Sequence, residues 1–259
     1  MSEFDAVDRV VRPYLAETST ATSLRFAGHQ IQSQMWNHAP DALALDYTRT
    51  MMGFVLFQLA PARIGMIGLG GGSLVKFCHR NLPNSAMEVV ENSPLVMDLR
   101  AIFQVPPDDE RLSVQLADGA DFIARARNRY DVLLLDAYDR VGIPPPLATL
   151  RFYLQCRRAL RSNGVLVANI ARDQVQGGNP IERIAAVFDD RLLVVRDSEH
   201  CNDIVFAWTG DIDDAHLSDQ GRPIDIRGEA WDPLIPALDR VRFAWRERAR
   251  KQALAKALL

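Results

Sequence analysis

The stretch RIGMIGLGGGSL, residues 63–74, places five glycines within eight positions, directly after a short apolar run. An apolar run of this length predicts a buried strand, and the pattern after the glycines, at about 72–82, predicts a helix. A glycine-rich turn between a strand and a helix lets a ligand lie against bare main chain at the helix N-terminus. The same glycines also favour tight packing of strand against helix, so the loop alone is a weak signal.

Strand and helix patterns alternate from about residue 61 to about residue 210. We predict strands at 63–69, 86–91, 112–117, 130–137, 164–170, 191–197 and 203–209, and helices at 72–82, 93–103, 119–127, 147–161 and 180–189. Ser93 and Pro94 are typical N-cap and first-turn residues. The pattern predicts an α/β fold: a doubly wound, mostly parallel sheet of about seven strands whose last two form an antiparallel hairpin. The strand at 130–137 is the most apolar, so we expect it to be central.

The flanking segments have different patterns. We divide the chain into an N-terminal helix and β-hairpin region, an α/β domain, and a C-terminal loop and helix, at residues 1–60, 61–210 and 211–259. Short strands are predicted within 22–36 and at DALALDY (41–47), with a helix before them and room for one after them. The C-terminal helix is predicted from about residue 232, with Leu238, Val241 and Trp245 packing inward and its arginine-rich end solvated.

The composition offers little to attract nucleic acid or a membrane. Of 259 residues, 48% are hydrophobic and 24% are charged, and the net charge is −3, whereas nucleic-acid binders usually carry a basic excess. No apolar run approaches about 18 residues and the N-terminus lacks a signal-peptide core, so we expect a cytoplasmic protein. Cys78, Cys156 and Cys201 are far apart and the five histidines are scattered, so no metal site is predicted.

Two acidic residues follow the glycine loop at later strand ends. Glu91 comes about 20 residues after the glycines, where a carboxylate can accept hydrogen bonds from both hydroxyls of a ribose. Asp118 ends the third predicted strand, and its carboxylate can accept from an adenine amino group, cap the next helix, or do both. Gly68, Gly70 and Gly72 have the spacing G-x-G-x-G, which fits an adenosine carrying a sulfonium chain better than a dinucleotide. The α/β domain is therefore predicted to bind a nucleotide.

The fourth predicted strand ends in LLLDAYDRVGIPPPL, residues 133–147. Two carboxylates at such a strand end, Asp136 and Asp139, can bind a cationic substrate and accept a proton from an attacking amine. The alternative is turn chemistry, since Asp is common where strands become loops. We predict a functional role for Asp136 and leave both interpretations open for Asp139. The three prolines that follow would stiffen a loop over the site.

Together, these motifs resemble the spermidine synthase (polyamine aminopropyltransferase) family, within the class I AdoMet-dependent transferase fold, over roughly residues 30–210. The family's GGGDGG loop is similar to GLGGGS here, and its GD(G/A) adenine motif to ADG at 117–119. Its DSSDP motif, which carries the catalytic aspartate, is similar to DAYDR. The tyrosine that precedes the core in the family is similar to Tyr47, and the hairpin that often builds its dimer is similar to residues 22–46.

The resemblance implies a methyltransferase-like Rossmann fold and a transferase acting on a small-molecule amine. The donor would be S-adenosylmethionine (AdoMet) or its decarboxylated form, used as a co-substrate, and the enzyme would be a homodimer. The implied donor-binding residues are Gly68, Gly70, Gly72, Glu91, Asp118 and Gly119. The implied catalytic residue is Asp136, and the implied acceptor-binding residues are Tyr47, Gln32, Asp139 and Tyr138.

The chain departs from the family pattern at several positions. Gly71 stands where the family loop has an aspartate that holds the donor's ammonium, and Thr48-Arg49 stands where the family has Gln-Glu. An aspartate in the loop would repel the carboxylate of ordinary AdoMet. Its replacement by Gly71 therefore leads to the hypothesis that AdoMet is also accepted. Arg49 would act in the same direction if it faced the site.

Two alternatives to aminopropyl transfer stay open from the sequence. One is methyl or aminocarboxypropyl transfer from AdoMet, and the other is a nucleotide-binding scaffold that has lost catalysis. An NAD-linked oxidoreductase is disfavoured because Ser73 interrupts the G-x-G-x-x-G fingerprint.

Overall fold

Two sheets of different size organise the structure. The computed structural model describes residues 14–25, 31–138, 142–172, 178–199, 201–212, 217, 226 and 228–257. In these ranges, a small antiparallel sheet of three strands packs beside a mostly parallel sheet of seven strands. The small sheet contains β1 (Tyr14–Glu17), β2 (Ala21–Arg25) and β3 (Ile31–Trp36). The large sheet contains β4 (Arg63–Ile67), β5 (Ala86–Glu91), β6 (Leu112–Leu116), β7 (Tyr130–Leu135), β8 (Leu160–Ala171), β9 (Leu192–Arg196) and β10 (Asn202–Trp208).

The strand order of the large sheet is β6-β5-β4-β7-β8-β10-β9. Neighbouring strands from β6 to β8 pair in parallel, and β10 pairs antiparallel with both β8 and β9. The predicted fold class, the central position of β7 and the final hairpin are confirmed. Because the order reverses between β4 and β7, a crevice for a ligand is expected at the carboxyl ends of these two strands.

Four of the described helices begin at a residue whose side chain caps the helix. The described helices are α1 (Asp46–Met51), α2 (Ser73–Asn81), α3 (Pro94–Asp98), α4 (Gly119–Arg125), α5 (Leu150–Ala159), α6 (Pro180–Val187), α7 (Gly228–Trp231) and α8 (Ile235–Ala257), and the four capped ones are α3 to α6. Short 3-10 turns cover Met52–Leu56, Pro145–Ala148 and Asp232–Leu234. The Ser93 hydroxyl accepts from the Val96 N–H at 3.4 Å, as its predicted N-cap role requires. The α3 helix is shorter than predicted, because turns replace it before Gln104 takes a left-handed φ of 53°.

The N-terminal region differs in part from its prediction. The β2–β3 pair forms the predicted hairpin, and the pattern gave no sign of the third strand, β1. The strand predicted at 41–47 is wrong, because this segment leads into α1. Arg49 donates to the Leu43 and Ala44 carbonyls at 2.7 and 3.1 Å, which takes up backbone groups that a strand partner would need. The helix predicted before the hairpin falls mostly on 1–13, outside the described residues.

Apolar residues cover both faces of the large sheet. One face packs against α1, α2 and α8, and Phe54 and Val241 belong to the core on this side. The other face packs against α4, α5 and α6. The predicted inward residues of the C-terminal helix, Leu238, Val241 and Trp245, are buried. Among the described residues, no helix is both long enough and apolar enough to span a bilayer.

Candidate active site

A cavity of about 730 Å³ lies at the carboxyl ends of β4, β5, β6 and β7. Its other walls come from β3, the start of α1, the end of β8 and the turn between β9 and β10. Nine of the predicted site residues line it: Gln32, Tyr47, Gly68, Gly70, Glu91, Asp118, Gly119, Asp136 and Tyr138. Gly72 does not line it, and Asp139 lies outside the described residues. The structure thus brings most of the predicted residues to one cavity.

The first two loop glycines meet different demands. A methyl group on Gly68 would come within 2.2 Å of the Asp136 carbonyl oxygen, so this glycine lets the ends of β4 and β7 approach each other. A methyl group on Gly70 would have its nearest neighbour, Ser33, at 3.8 Å. Both glycines adopt a positive φ, 93° and 52°, a conformation that residues with a Cβ atom rarely adopt. Gly70 is therefore the loop position at which bare main chain is open to a ligand.

The other two loop glycines pack against the protein itself. A methyl group on Gly71 would meet the Ser33 hydroxyl at 2.6 Å and the Phe103 ring at 2.8 Å. A methyl group on Gly72, the N-cap of α2, would meet Val105 at 2.4 Å. The segment that follows α3 and the strand β3 thus leave no room for side chains at these positions.

A buried lysine fixes the segment behind the loop. Lys76 in α2 is 1% exposed, and its ammonium donates to the Phe103 carbonyl at 2.7 Å. Burial lowers the pKa of Lys76 to about 8. The bond joins α2 to the main chain of Phe103, whose ring lies against Gly71, so it helps to fix the shape of the glycine loop.

Glu91 at the end of β5 connects two loops of the cavity wall. Its carboxylate accepts from the Leu69 N–H and from the Ser93 N–H, both at 2.9 Å, and the residue is 8% exposed. Each carboxylate oxygen has a second lone pair, so these bonds leave capacity for hydroxyl donors in the cavity. Glu91 therefore fixes the main chain of the glycine loop and can still bind a ligand.

Asp118 combines a cap with a position on the cavity wall. Its Oδ1 accepts from the Asp121 N–H at 2.9 Å, so the predicted N-cap role is confirmed. The next residue, Gly119, lines the cavity too, and a methyl group there would meet Ile67 at 2.5 Å. The second oxygen of Asp118 is not used by the cap, which leaves the predicted adenine contact as a proposal.

Asp136 lies at the end of β7 with two hydrogen-bond donors. Asn169 Nδ2 donates to its Oδ1 at 2.9 Å, and the Tyr47 hydroxyl donates to its Oδ2 at 3.3 Å. Burial raises the pKa of Asp136, and these two bonds offset the effect only in part. Burial and the nearby Asp136 raise the pKa of Tyr47 well above its ordinary value, so the phenol stays protonated. The result is a half-buried carboxylate with an increased proton affinity.

Asn169 also carries an unsatisfied atom. Its Oδ1 is buried and has no hydrogen-bond partner, although the residue lines the cavity beside Asp136. Buried polar atoms are nearly always paired, so a ligand that brings an N–H or O–H donor would satisfy it. Tyr138 is different, because its hydroxyl already donates to the Asn169 carbonyl at 2.5 Å and accepts from the Ala171 N–H at 2.6 Å.

Arg49, which could have added to the donor hypothesis by facing the site, points elsewhere. Its guanidinium is engaged by the Leu43 and Ala44 carbonyls and by the Asp46 carboxylate, and it does not line the cavity. The condition under which Arg49 would favour ordinary AdoMet is therefore not met.

Sequence reasoning missed the contributions of β8 and of the β9–β10 turn. Asn169 in β8 and Glu199 and Cys201 in the turn line the cavity. The strand that contains Asn169 ends at the same sheet edge as β7, so the strand-end rule would have found it if carried past residue 138. No such signal marks Glu199, since its place depends on how the last hairpin folds back.

Comparison with known proteins decides the family. A family model described as the spermine/spermidine synthase domain matches residues 55–175. The polyamine aminopropyltransferase of Chromobacterium violaceum is 35% identical over 204 residues, which cover 78% of this chain and 78% of that protein. The chain belongs to the polyamine aminopropyltransferase family. Membership confirms the family and the transferase class predicted from the motifs.

Solved structures share the polyamine aminopropyltransferase fold with this chain. A probable spermidine synthase from Corynebacterium glutamicum has 20% identity and a TM-score of 0.66, over 85% of this chain and 88% of that chain. A spermidine synthase in complex with the transition-state analogue AdoDATO has 18% identity and a TM-score of 0.57, over 87% of this chain and 84% of that chain. At this identity the likeness establishes the architecture alone.

Proposed function

We propose that this polyamine aminopropyltransferase moves an aminopropyl group from decarboxylated AdoMet to a primary amine. The observation that carries the proposal is the half-buried Asp136 carboxylate at the end of β7, between the glycine loop with Glu91 on one side and Tyr47 with Asn169 on the other. In the proposed reaction, Asp136 is the proton acceptor between a nucleotide half and an amine half of one cavity. Family membership supports the same reaction, and neither methyl transfer nor loss of catalysis is needed to explain the site.

The donor half is assigned to the residues around the glycine loop. Gly70 offers bare main chain, and the free lone pairs of Glu91 can accept from the two ribose hydroxyls. The second oxygen of Asp118 can accept from the adenine amino group. The spermidine synthase that binds AdoDATO has the same architecture, which supports an adenosine-type donor here.

The acceptor half is assigned to Asp136, Asn169 and Tyr47. The neutral amine would donate one N–H to Asp136 and another to the unpaired Asn169 Oδ1, which leaves its lone pair directed at the donor. The nitrogen then forms a bond to the carbon next to the sulfonium, the carbon–sulfur bond breaks, and the thioether leaves with the electron pair. The proton passes to Asp136, whose raised pKa favours this step.

The direct test is product mass. Purified protein is incubated with decarboxylated AdoMet and a panel of mono- and diamines, and the products are analysed by mass spectrometry. We expect an amine enlarged by one aminopropyl group, together with methylthioadenosine. Methylated amines, or no product from any amine of the panel, would contradict the proposal.

We infer that the part of the site that would hold the donor's tail also accepts ordinary AdoMet, whose tail carries a carboxylate. Because Ser33 and the Phe103 ring fill the space beside Gly71, this position of the loop cannot hold an acidic side chain, and the first turn of α2 has none either. Neither position 71 nor the first turn of α2 carries a charge that repels a carboxylate. Ordinary AdoMet should therefore bind with a Kd within about tenfold of that of the decarboxylated form, one factor of ten being about 1.4 kcal/mol. Isothermal titration with both nucleotides measures this. A preference of about a hundredfold or more for the decarboxylated form, about 2.8 kcal/mol, would refute it.

The small sheet is proposed to form a homodimer contact. Tyr14 on β1 and Ile31 on β3 are large apolar side chains with 47% and 36% exposure, which a second copy would cover. Light scattering behind size exclusion tests this with the unmodified chain, and a monomer at micromolar concentration would contradict it.

A further inference from the structure

The helix that carries Tyr47 into the cavity is fastened by the preceding residue. Asp46 is 6% exposed, and its carboxylate has three partners, one in the same helix and two from distant parts of the chain. Oδ2 accepts from the Ser198 N–H at 2.8 Å and from the Arg240 guanidinium, and Oδ1 lies 3.3 Å from Arg49 Nη2. A buried carboxylate with this many donors holds a fixed position.

The Ser198 bond connects α1 to the opposite cavity wall. Ser198 belongs to the turn between β9 and β10, and the same turn supplies Glu199 and Cys201 to the cavity. At its base, the Asp197 carboxylate accepts from the Cys201 N–H at 2.9 Å. The turn is therefore braced internally and is joined to α1 through Asp46.

Arg240 brings the C-terminal helix into the same cluster. Its Nη2 contacts Asp46 and also donates to the Thr50 hydroxyl at 2.8 Å. The side chain of Arg240 is 27% exposed and that of Asp46 is 7% exposed. Loss of Arg240 leaves the buried Asp46 carboxylate with Arg49 as its remaining cationic partner, and loss of Asp46 removes the counter-charge of the partly buried Arg240. One residue of α8 thereby fixes the first turns of α1.

We propose that Asp46 and Arg240 are positioning residues that set the separation between Tyr47 and the Glu199 turn, and so fix the acceptor end of the cavity. Neither residue lines the cavity, so the effect is exerted through α1 and the turn. The glycine loop, Glu91 and Asp118 belong to other segments, so donor binding is independent of this cluster. The inference rests on the proposed function for what the acceptor end binds.

The test compares Asp46→Asn, Arg240→Met and the double variant with Arg246→Gln, an exposed arginine of the same helix. With the amine that the wild type uses best, kcat/KM should fall by about tenfold to a hundredfold in both single variants, because small misplacements of reacting groups have effects of that size. The Kd for methylthioadenosine should change by less than about twofold, or about 0.4 kcal/mol. The double variant should be no worse than the more affected single variant, since the two residues act as a unit.

Other results would overturn the inference. One is a kcat/KM for the amine within twofold of the wild-type value in both single variants. Another is a loss of methylthioadenosine affinity as large as the loss of kcat/KM, which would indicate that the whole site is loosened. If the wild type aminopropylates no amine, the proposed function fails, and hydrogen exchange still tests the cluster. Exchange of the 197–201 peptide should then rise in both single variants but not in Arg246→Gln, with the 68–74 peptide unchanged. Unchanged exchange at 197–201 would reject the cluster as a positioning device.

Discussion

The two ends of the cavity are built in different ways. The donor end is made of consecutive strand ends, with Gly68, Gly70, Glu91 and Asp118 all within one stretch of about 50 residues. The acceptor end joins α1, β7, β8, the β9–β10 turn and, through Arg240, the C-terminal helix. A local motif can specify the first end, whereas the second depends on how distant segments pack. Changes at the acceptor end should therefore affect turnover while nucleotide binding persists.

The largest expected effect is that of Asp136→Asn. Without a carboxylate to accept the amine proton, kcat should fall by about 10²- to 10⁴-fold, the usual contribution of a general base. The amide keeps the size of the side chain, and the donor residues are unchanged, so the Kd for methylthioadenosine should stay within about twofold. Steady-state kinetics and isothermal titration measure the two quantities. If turnover persists at the wild-type rate, Asp136 is not the base.

Two glycine variants should separate protein packing from ligand access. Gly68→Ala places a methyl group against the Asp136 carbonyl at a positive φ, so the free energy of unfolding should fall by about 3 kcal/mol or more. Gly70→Ala has space for the methyl group and should lose only about 1 kcal/mol from its left-handed backbone. Urea unfolding measures both. Equal losses of unfolding free energy in the two variants would contradict the distinction between a packed Gly68 and an open Gly70.

The smallest expected effect concerns Lys76 and pH. Its pKa is about 8 in the folded protein and 10.5 when unperturbed, so between these values the unfolded chain binds more protons. The free energy of unfolding should therefore rise with pH across this window, and this contribution is lost as the pH falls through about 8. Relative to Lys76→Met, the wild type should gain about 1–2 kcal/mol between about pH 8 and about pH 9.5. Urea titrations of both proteins measure the difference. If the difference in unfolding free energy between the two proteins does not change with pH, the Lys76 ammonium is not destabilised by burial.

The parts of the fold that the sequence predicted correctly are those set by local pattern. The limits of β5 match the predicted 86–91, because alternate apolar residues and the turn signals on both sides bound it. The final hairpin was predicted for the same reason. The segment 41–47 was misassigned, since its alternating pattern reflects Leu43 facing the core and Asp46 facing Ser198 and Arg240, contacts that no local pattern encodes.

The site was predicted unevenly for related reasons. Glu91 and Asp118 follow from strand-end spacing, and the structure places both on the cavity wall. Gly72 was predicted to bind the donor, but Val105, from another segment, packs against it. Gly71 is likewise explained by its packing against Ser33 and Phe103. Asn169 could have been predicted from its strand end. The roles of Glu199 and Arg240 could not, because they arise only when the last hairpin and α8 fold back onto α1.

The unpaired Asn169 Oδ1 has a consequence for inhibitor design. A buried carbonyl oxygen without a partner costs about 1–3 kcal/mol, which a bound molecule recovers by supplying a donor. A compound that joins an adenosine to an amine or amide N–H placed between Asn169 and Asp136 would therefore bind more tightly than adenosine analogues that reach only the glycine loop. Such compounds would bind this protein in preference to proteins that have an apolar residue at the position of Asn169 in the corresponding strand.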